Sequence, residues 1–470
     1  MKIMLIGAGG SGISSIGLIL KDLGFDNIVG IDIAESEISK KLEKKGIRFV
    51  YGHGIELPEK EDFVIYSDAA INSPEVQKSL EYETLGEKYY HKPYSYFDFI
   101  GEISKYFVTI AIAGTHGKST STAIAISSLS KISQDFGLGI VGALVPEFNN
   151  KNYLINENYN NDIRIIFEHI ISGSYKGFNK EVIKKYMFVI EADEFNRHFL
   201  KLDVDYATIH NIELDHSDCF QNIDIYYDVF KTFAQRVRYK IFGLSGEPLV
   251  KKLSEEIPGK FKLLDVEIFE FIHLIGKHNQ NNATLIFNMF KNICSKVKSG
   301  QIKNSIIKFK GLWRRTETIK TSKSGAFIIS DYGHHPTEIK TVIMALKEKY
   351  PNKKIICIFQ PHQARRVIEF WDKFIETIKL ADTKIIYNIY TARENIEKLL
   401  NGIENEELKS QKSIEMIGNK FAEKVGGKYI TDFELIKKII TDLGKDEILI
   451  YFSAGNLDYD IRMRDGLKFL

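Results

Sequence analysis

The run Gly114-Thr115-His116-Gly117-Lys118-Ser119-Thr120 follows directly on an apolar stretch at 107–113. It reads as a strand, a phosphate loop and the start of a helix. Glycines let backbone N–H groups close around phosphate oxygens, and the helix that follows points its positive end at an anion. Lys118 neutralises developing charge, and the Ser119 hydroxyl suits Mg²⁺. The run therefore points to a nucleoside triphosphate, ATP in the simplest case. The spacing departs from the common phosphate-loop pattern, because Ile112 stands five positions before Gly117 where that pattern has glycine. A plain strand-to-helix turn with a surface lysine is the bland alternative.

Outward from this loop, apolar strands alternate with amphipathic segments, the mark of a parallel sheet covered by helices. Ligands of such sheets bind beyond the carboxyl ends of the strands, and there the polar clusters fall. Glu191-Ala192-Asp193-Glu194 follows 187–190, and the stretch from His210 to His216 follows 206–209. Asp331-Tyr332-Gly333-His334-His335-Pro336 follows a third run, Gln360-Pro361-His362 with Arg365-Arg366 a fourth, and Tyr390-Thr391-Ala392-Arg393-Glu394 a fifth. Glu191 is a natural Mg²⁺ ligand, since Mg²⁺ takes oxygen donors and binds through one or two carboxylates plus phosphate. His216 beside Asp215 reads either as a second metal or γ-phosphate contact or as a buried structural histidine. Arg366 and Arg393 suit an anionic clamp, because guanidinium grips carboxylate and phosphate in a bidentate manner. Arg314-Arg315 falls at an expected hinge, with groups needed for catalysis on both sides of it, so closure of the third domain over the second is expected. Zinc is disfavoured by the absence of HExxH and CxxC spacing.

At the start of the chain, a strand at 2–6 runs into Gly7-Ala8-Gly9-Gly10-Ser11-Gly12, a helical pattern and a second strand at 27–31 that ends on Asp32. A glycine-rich turn with an acid about twenty residues on is the dinucleotide-type βαβ arrangement. Alone it would fit an NAD-dependent oxidoreductase, which leaves the second phosphate loop and Glu191 without a role. The chain's 470 residues suggest about three domains, placed at 1–105, 106–310 and 311–470. The asparagine-rich stretch 149–161 reads as a surface loop, and a helix over 337–349 begins just after Pro336 with Ile339, Val342, Ile343 and Leu346 at helical spacing. A net charge of +2 gives no argument for a nucleic-acid partner. Three widely spaced cysteines, no signal-peptide core and no bilayer-length apolar run lead us to expect a soluble cytoplasmic protein without membrane insertion.

Taken in order, GTHGKS, EADE, NIxxDH, GxHNxxNA (Gly276, His278, Asn279, Asn282, Ala283), RRxE (Arg314, Arg315, Glu317), DYGHHPTEI, FQPH and YxARE resemble the Mur ligase family, over essentially the whole chain. The resemblance implies an α/β fold of three domains: a Rossmann-like N-terminal domain for a UDP-sugar, a central ATPase with a mostly parallel sheet, and a Rossmann-like C-terminal domain that brings the amine. It implies an ATP-dependent ligase joining L-alanine to the lactyl carboxylate of UDP-N-acetylmuramate through an acyl phosphate. A recycling ligase that attaches a ready-made peptide to the same sugar nucleotide remains open, as does a monomer or homodimer. By this resemblance the turn Gly7, Gly9, Gly10, Ser11 and Gly12, with Asp32, Ser67 and Asn72, would take the UDP-sugar. Lys118 would contact phosphates, Ser119 and Glu191 would hold Mg²⁺, and His216 would serve a second ion. Asn279, Arg315 and Asp331 would serve the nucleotide, and His334, Arg366 and Arg393 the meeting of acyl group and amine. Asn196, Ser330, Ser453 and Asn456 depart from the family's usual residues at their positions.

Overall fold

The computed structural model describes residues 1–84, 92–173, 183–215, 219–322, 324–391 and 394–463. These fall into two compact units, 1–270 with 281–309, and 271–280 with 310–470.

The first unit holds two sheets. One is five-stranded and parallel, in the order β3-β2-β1-β4-β5, from β1 (Ile3–Ile6), β2 (Ile28–Asp32), β3 (Arg48–Tyr51), β4 (Phe63–Tyr66) and β5 (Tyr94–Ser95). β1 and β4 are buried at every position, as expected of strands covered on both faces. The helix Ser11–Asp22 starts on the glycine turn and buries Ile13, Ile16, Ile19 and Leu20, which recur at helical spacing.

The second sheet has seven strands in the order β12-β11-β10-β6-β9-β7-β8. They are β6 (Val108–Ala113), β7 (Phe136–Val145), β8 (Lys151–Ile155), β9 (Met187–Glu191), β10 (Tyr206–Ile209), β11 (Lys240–Leu244) and β12 (Phe261–Leu264). Every neighbouring pair is parallel except β7 with β8. β6 lies between β9 and β10; the chain runs from β6 to β7 on one side and later crosses from β9 to β10 on the other, so the strand order reverses at β6. The crevice past its carboxyl end is the switch point where ligands bind in such sheets, and the loop 114–117 sits there.

The asparagine-rich stretch is not simply a surface loop, as the sequence suggested. Asn149 and Asn150 take left-handed turn conformations, and the chain then forms β8 with Asn152, Tyr153 and Ile155 turned inward. Tyr153 is buried and its hydroxyl donates to Asp22 at 2.7 Å. Asparagine tolerates the left-handed region, so the turn residues mask a short edge strand. One apolar core, including Ile16, Phe99, Ile100, Phe167, Phe188 and Phe230, spans both sheets.

The second unit is a six-stranded sheet in the order β13-β14-β18-β15-β16-β17: β13 (Glu317–Thr321), β14 (Phe327–Asp331), β15 (Lys354–Gln360), β16 (Thr383–Tyr387), β17 (Lys428–Ile430) and β18 (Glu447–Ser453). Only β13 pairs antiparallel. The helix Pro336–Lys349 takes Pro336 as its first residue and is capped by His335 with Glu338, since proline's missing N–H costs nothing at a helix start. Cys294 and Cys357 are free, buried thiols. Among the described residues no helix is long and apolar enough to cross a membrane.

Candidate active site

Two glycines give the loop after β6 its shape. Gly114 and Gly117 have φ of +134° and +87°, the region that favours glycine. A Cβ on Gly117 would lie 2.6 Å from Asn282 Oδ1, and one on Gly114 2.8 Å from the His210 Cβ. Asn211 braces the loop, its carbonyl accepting from Thr115 N at 3.1 Å and its Oδ1 from His116 N at 2.8 Å. Thr115 Oγ1 donates to the Glu213 carbonyl at 2.9 Å, and the His116 ring meets Glu213 Oε2 at 3.1 Å. His210, under the loop, is held neutral: burial first and the Lys118 charge second push its pKa down to about 3, against a hydrogen bond with Asn282.

Lys118 opens the helix Lys118–Ile132, with Ser119 and Thr120 in its first turn. Its Nζ donates to the carbonyls of Gly114 (2.7 Å) and Thr115 (3.0 Å) and to Glu194 Oε1 (2.9 Å). Burial alone would lower the Lys118 pKa, but Glu194, Asp193 and Glu191 outweigh it and the net shift is upward. Ser119 Oγ donates to Glu191 Oε1 at 2.8 Å, while Glu191 Oε2 accepts from Gly142 N at 2.6 Å. A hydroxyl and a carboxylate converging beside this glycine loop are an all-oxygen donor pair, which fits Mg²⁺.

On the first sheet the turn residues come together. Gly7, at φ +78°, would bring a Cβ within 2.3 Å of Ser67 Oγ, so the loops after β1 and β4 touch. Gly10 N donates to the Gly7 carbonyl at 3.1 Å, and Ser11 and Gly12 open the helix. Asp32 accepts from Gly9 N and from Ile33 N, each at 2.7 Å, so its carboxylate braces the turn. Asn72 is exposed in the turn before the helix Pro74–Thr84.

The second unit gathers its own cluster. Asp331, buried at the end of β14, accepts from Gly333 N (2.7 Å) and from Thr316 N (2.6 Å). Burial raises its pKa against the opposing pull of Arg315. Arg315 lies over the Tyr332 ring at 5.2 Å. Asn279 Nδ2 donates to the Ile275 carbonyl at 2.7 Å. His334 Nδ1 is 3.2 Å from the Tyr332 carbonyl, and its ring meets that of His362 edge-on at 6.2 Å. Arg366 is buried, and with Arg314 it helps burial hold the His362 pKa down at about 4. The departures Ser330, Ser453 and Asn456 bond within this unit: Ser330 Oγ to Asp458 at 2.7 Å, Ser453 Oγ to Gln360 Oε1 at 2.8 Å, and Asn456 Oδ1 from Gln360 Nε2 at 2.8 Å. His216 and Arg393 lie outside the described residues.

Sequence reasoning assigned no role to Glu194, Tyr226, Asn211, His198 or His362. Tyr226 donates to Glu194 Oε1 at 3.1 Å and its hydroxyl lies 3.1 Å from Thr115 Oγ1, so a tyrosine 111 residues beyond the loop packs against it and braces the carboxylate that holds its lysine. Glu194 and His362 stood in the strand-end clusters, the available signal. Nothing in the spacing marked Tyr226.

Two family models match: the "Mur ligase family, catalytic domain" over residues 2–104 and the "Mur ligase, glutamate ligase domain" over 314–455. The UDP-N-acetylmuramate--L-alanine ligase of Levilactobacillus brevis is 31% identical over 417 residues, covering 83% of this chain and 84% of that protein. The enzyme of the same name from Lactobacillus delbrueckii subsp. bulgaricus is 26% identical over 99% of this chain and 98% of its own. The crystal structure of the Thermotoga maritima UDP-N-acetylmuramate-alanine ligase MurC superposes with a TM-score of 0.72 at 20% identity, over 98% of this chain and 97% of that one. With the glycine loop 114–117 at the switch point of its central sheet, and with sequence and fold matched along most of its length, the chain belongs to the Mur ligase family.

Proposed function

We propose that this protein is an ATP-dependent ligase that joins L-alanine to the lactyl carboxylate of UDP-N-acetylmuramate. The observation that carries this reading is the convergence of Ser119 Oγ on Glu191 at 2.8 Å beside the phosphate-loop lysine. The names of the relatives at 31% and 26% identity supply the substrates. On this reading residues 1–105 hold the UDP-sugar, 106–310 bind ATP and 311–470 bring the amino acid.

A carboxylate is a poor electrophile, so the first step gives it a leaving group. A carboxylate oxygen attacks the γ-phosphorus of ATP, the bond to the β-phosphate oxygen breaks, and ADP leaves. The amine of L-alanine then attacks the acyl carbon, loses a proton and expels phosphate. Lys118 offsets the charge of the transferred phosphoryl group, and the N-terminus of its helix faces the same anion. Ser119 and Glu191 would hold Mg²⁺, which when bound neutralises phosphate charge. The turn Gly7–Gly12 with Ser67 and Asn72 orients the sugar nucleotide, and His334 and Arg366 hold the amino acid or the acyl group. Asn279, Arg315 and Asp331 serve the nucleotide.

The test is phosphate release from ATP with UDP-N-acetylmuramate and a panel of single amino acids and short peptides. Release that depends on L-alanine supports the reading. Release with a peptide and none with L-alanine identifies a recycling ligase, and no response to the UDP-sugar removes the ligase reading.

A further inference from the structure

His198 lies outside the loop after β6, and both of its ring nitrogens face carboxylates. It follows Asn196 and Arg197, both in left-handed conformations (φ +48° and +60°), and the strain at Arg197 persists only where the surroundings hold it. Its side chain is 5% exposed. Nε2 lies 2.6 Å from Asp68 Oδ2, and Nδ1 lies 3.4 Å from Asp193 Oδ2. The ring stacks on Phe97 at 3.8 Å between centroids and 12° between planes, and Phe195 packs at its edge at 5.8 Å.

These contacts join two sheets. Asp68 is in the loop after β4, next to Ser67, which the proposed function assigns to the UDP-sugar. Asp193 is in the acidic segment after β9, between Glu191 and Glu194. Parallel ties flank the ring, with Lys201 Nζ 3.0 Å from Asp98 Oδ1 and 3.1 Å from Ser95 Oγ. A Cβ on Gly101, in the helix Tyr96–Ser104, would lie 2.5 Å from the Lys201 carbonyl, so that helix and the stretch around Lys201 touch backbone to backbone. Asn196 acquires a purpose here, because its side-chain amide helps, after His198 and Lys201, to hold the Asp68 carboxyl pKa down. A carboxylate at that position would set two like charges together, whereas the amide donates.

We propose that His198 is a positioning residue that clips the sugar-side loop 67–72 of the first sheet to the acidic segment 191–194 of the second. Resting on the ligase reading, this fixes the distance between the bound UDP-sugar and the phosphate loop. The groups facing the ring are Asp68 and Asp193. Asn196 and Lys201 act on Asp68, and Lys118 acts on Asp193. Burial alone would pull the His198 pKa down, but its bonds to Asp193 and Asp68 outweigh that and the net shift is upward. A raised histidine pKa means that the clip is complete below the ordinary value near 6.5 and weakens as pH rises through the folded-state value.

The test uses the full-length chain with Asp68→Asn, at a carboxylate whose side chain is 40% exposed, and His198→Gln as a second variant. The imidazole is followed by NMR titration and residues 67–72 by amide hydrogen exchange, neither of which needs substrate. Steady-state kinetics then use ATP, UDP-N-acetylmuramate and L-alanine. In the wild-type chain His198 should titrate above 6.5, and Asp68→Asn should lower that value and speed exchange across 67–72. In both variants KM for the UDP-sugar should rise about fivefold while KM for ATP moves less than about twofold, since one partly exposed pair is worth about 1 kcal/mol. A His198 titration unmoved by Asp68→Asn, or the two KM values rising together, overturns the proposal. If the wild-type chain turned over none of these substrates, the ligase reading would fall, and titration and exchange would still decide the clip.

Discussion

Glu194→Gln tests whether the phosphate-loop lysine is held by a carboxylate that no phosphate-loop motif includes. Lys118 Nζ is 2.9 Å from Glu194, with side-chain exposures of 13% and 1%. Unit charges at that separation attract by about 6 kcal/mol at an effective dielectric near 20. Desolvation offsets much of this, and removing one partner of a buried pair costs about 3–5 kcal/mol. Asp193 and Glu191 also support the lysine's charge, and glutamine keeps an acceptor for Tyr226. The expected loss is therefore about 2–3 kcal/mol, at or just below the low end of that range. In kinetic terms kcat/KM for ATP should fall about 30- to 150-fold. The assay is steady-state phosphate release for the wild-type chain, Glu194→Gln, Lys118→Ala and the double variant. Lys118→Ala should abolish phosphorylation while UDP-sugar binding persists, and Glu194→Gln should add almost nothing to it, because coupled residues are not additive. A Glu194→Gln enzyme within about threefold of wild type, or two independent additive losses, would refute the reasoning.

Gly7→Ala places a methyl group 2.3 Å from Ser67 Oγ on a φ of +78°. It should cost about 1–2 kcal/mol in backbone strain alone and weaken UDP-N-acetylmuramate binding in calorimetry while ATP-analogue binding stays. Unchanged sugar-nucleotide affinity would remove the turn from that site. In the wild-type chain the same calorimetry should show UDP-N-acetylmuramate bound and NAD and NADP not, and tight NAD binding with no response to the UDP-sugar would overturn the ligase reading. His210, with its folded pKa lowered to about 3, binds its proton more readily when unfolded. Between that value and about 6.5 stability should therefore fall as pH falls, by up to about 1.4 kcal/mol per pH unit for this one proton. Urea unfolding from pH 7 to 4.5 should show a shallower pH slope in His210→Gln, and identical slopes would contradict the neutral, buried imidazole.

The local grammar of this protein was legible in its sequence. An apolar run, a glycine turn and an amphipathic helix specify βαβ units by nearest-neighbour physics, and both glycine turns and the polar clusters at strand ends were visible this way. Where signals conflict locally, the sequence misleads. Asn149 and Asn150 spell a turn, and they hid β8, whose inward Tyr153 is satisfied by Asp22, 131 residues earlier. Only the tertiary structure decided which strand-end residues meet. Glu194 reaches Lys118 across 76 residues, Tyr226 reaches Glu194 across 32, and His198 reaches Asp68 across 130. The order of strands in the sheets and the apolar core that joins the first two sheets set those distances. A buried charge is held only where its partner arrives in space, and spacing along the chain carries no record of that arrival.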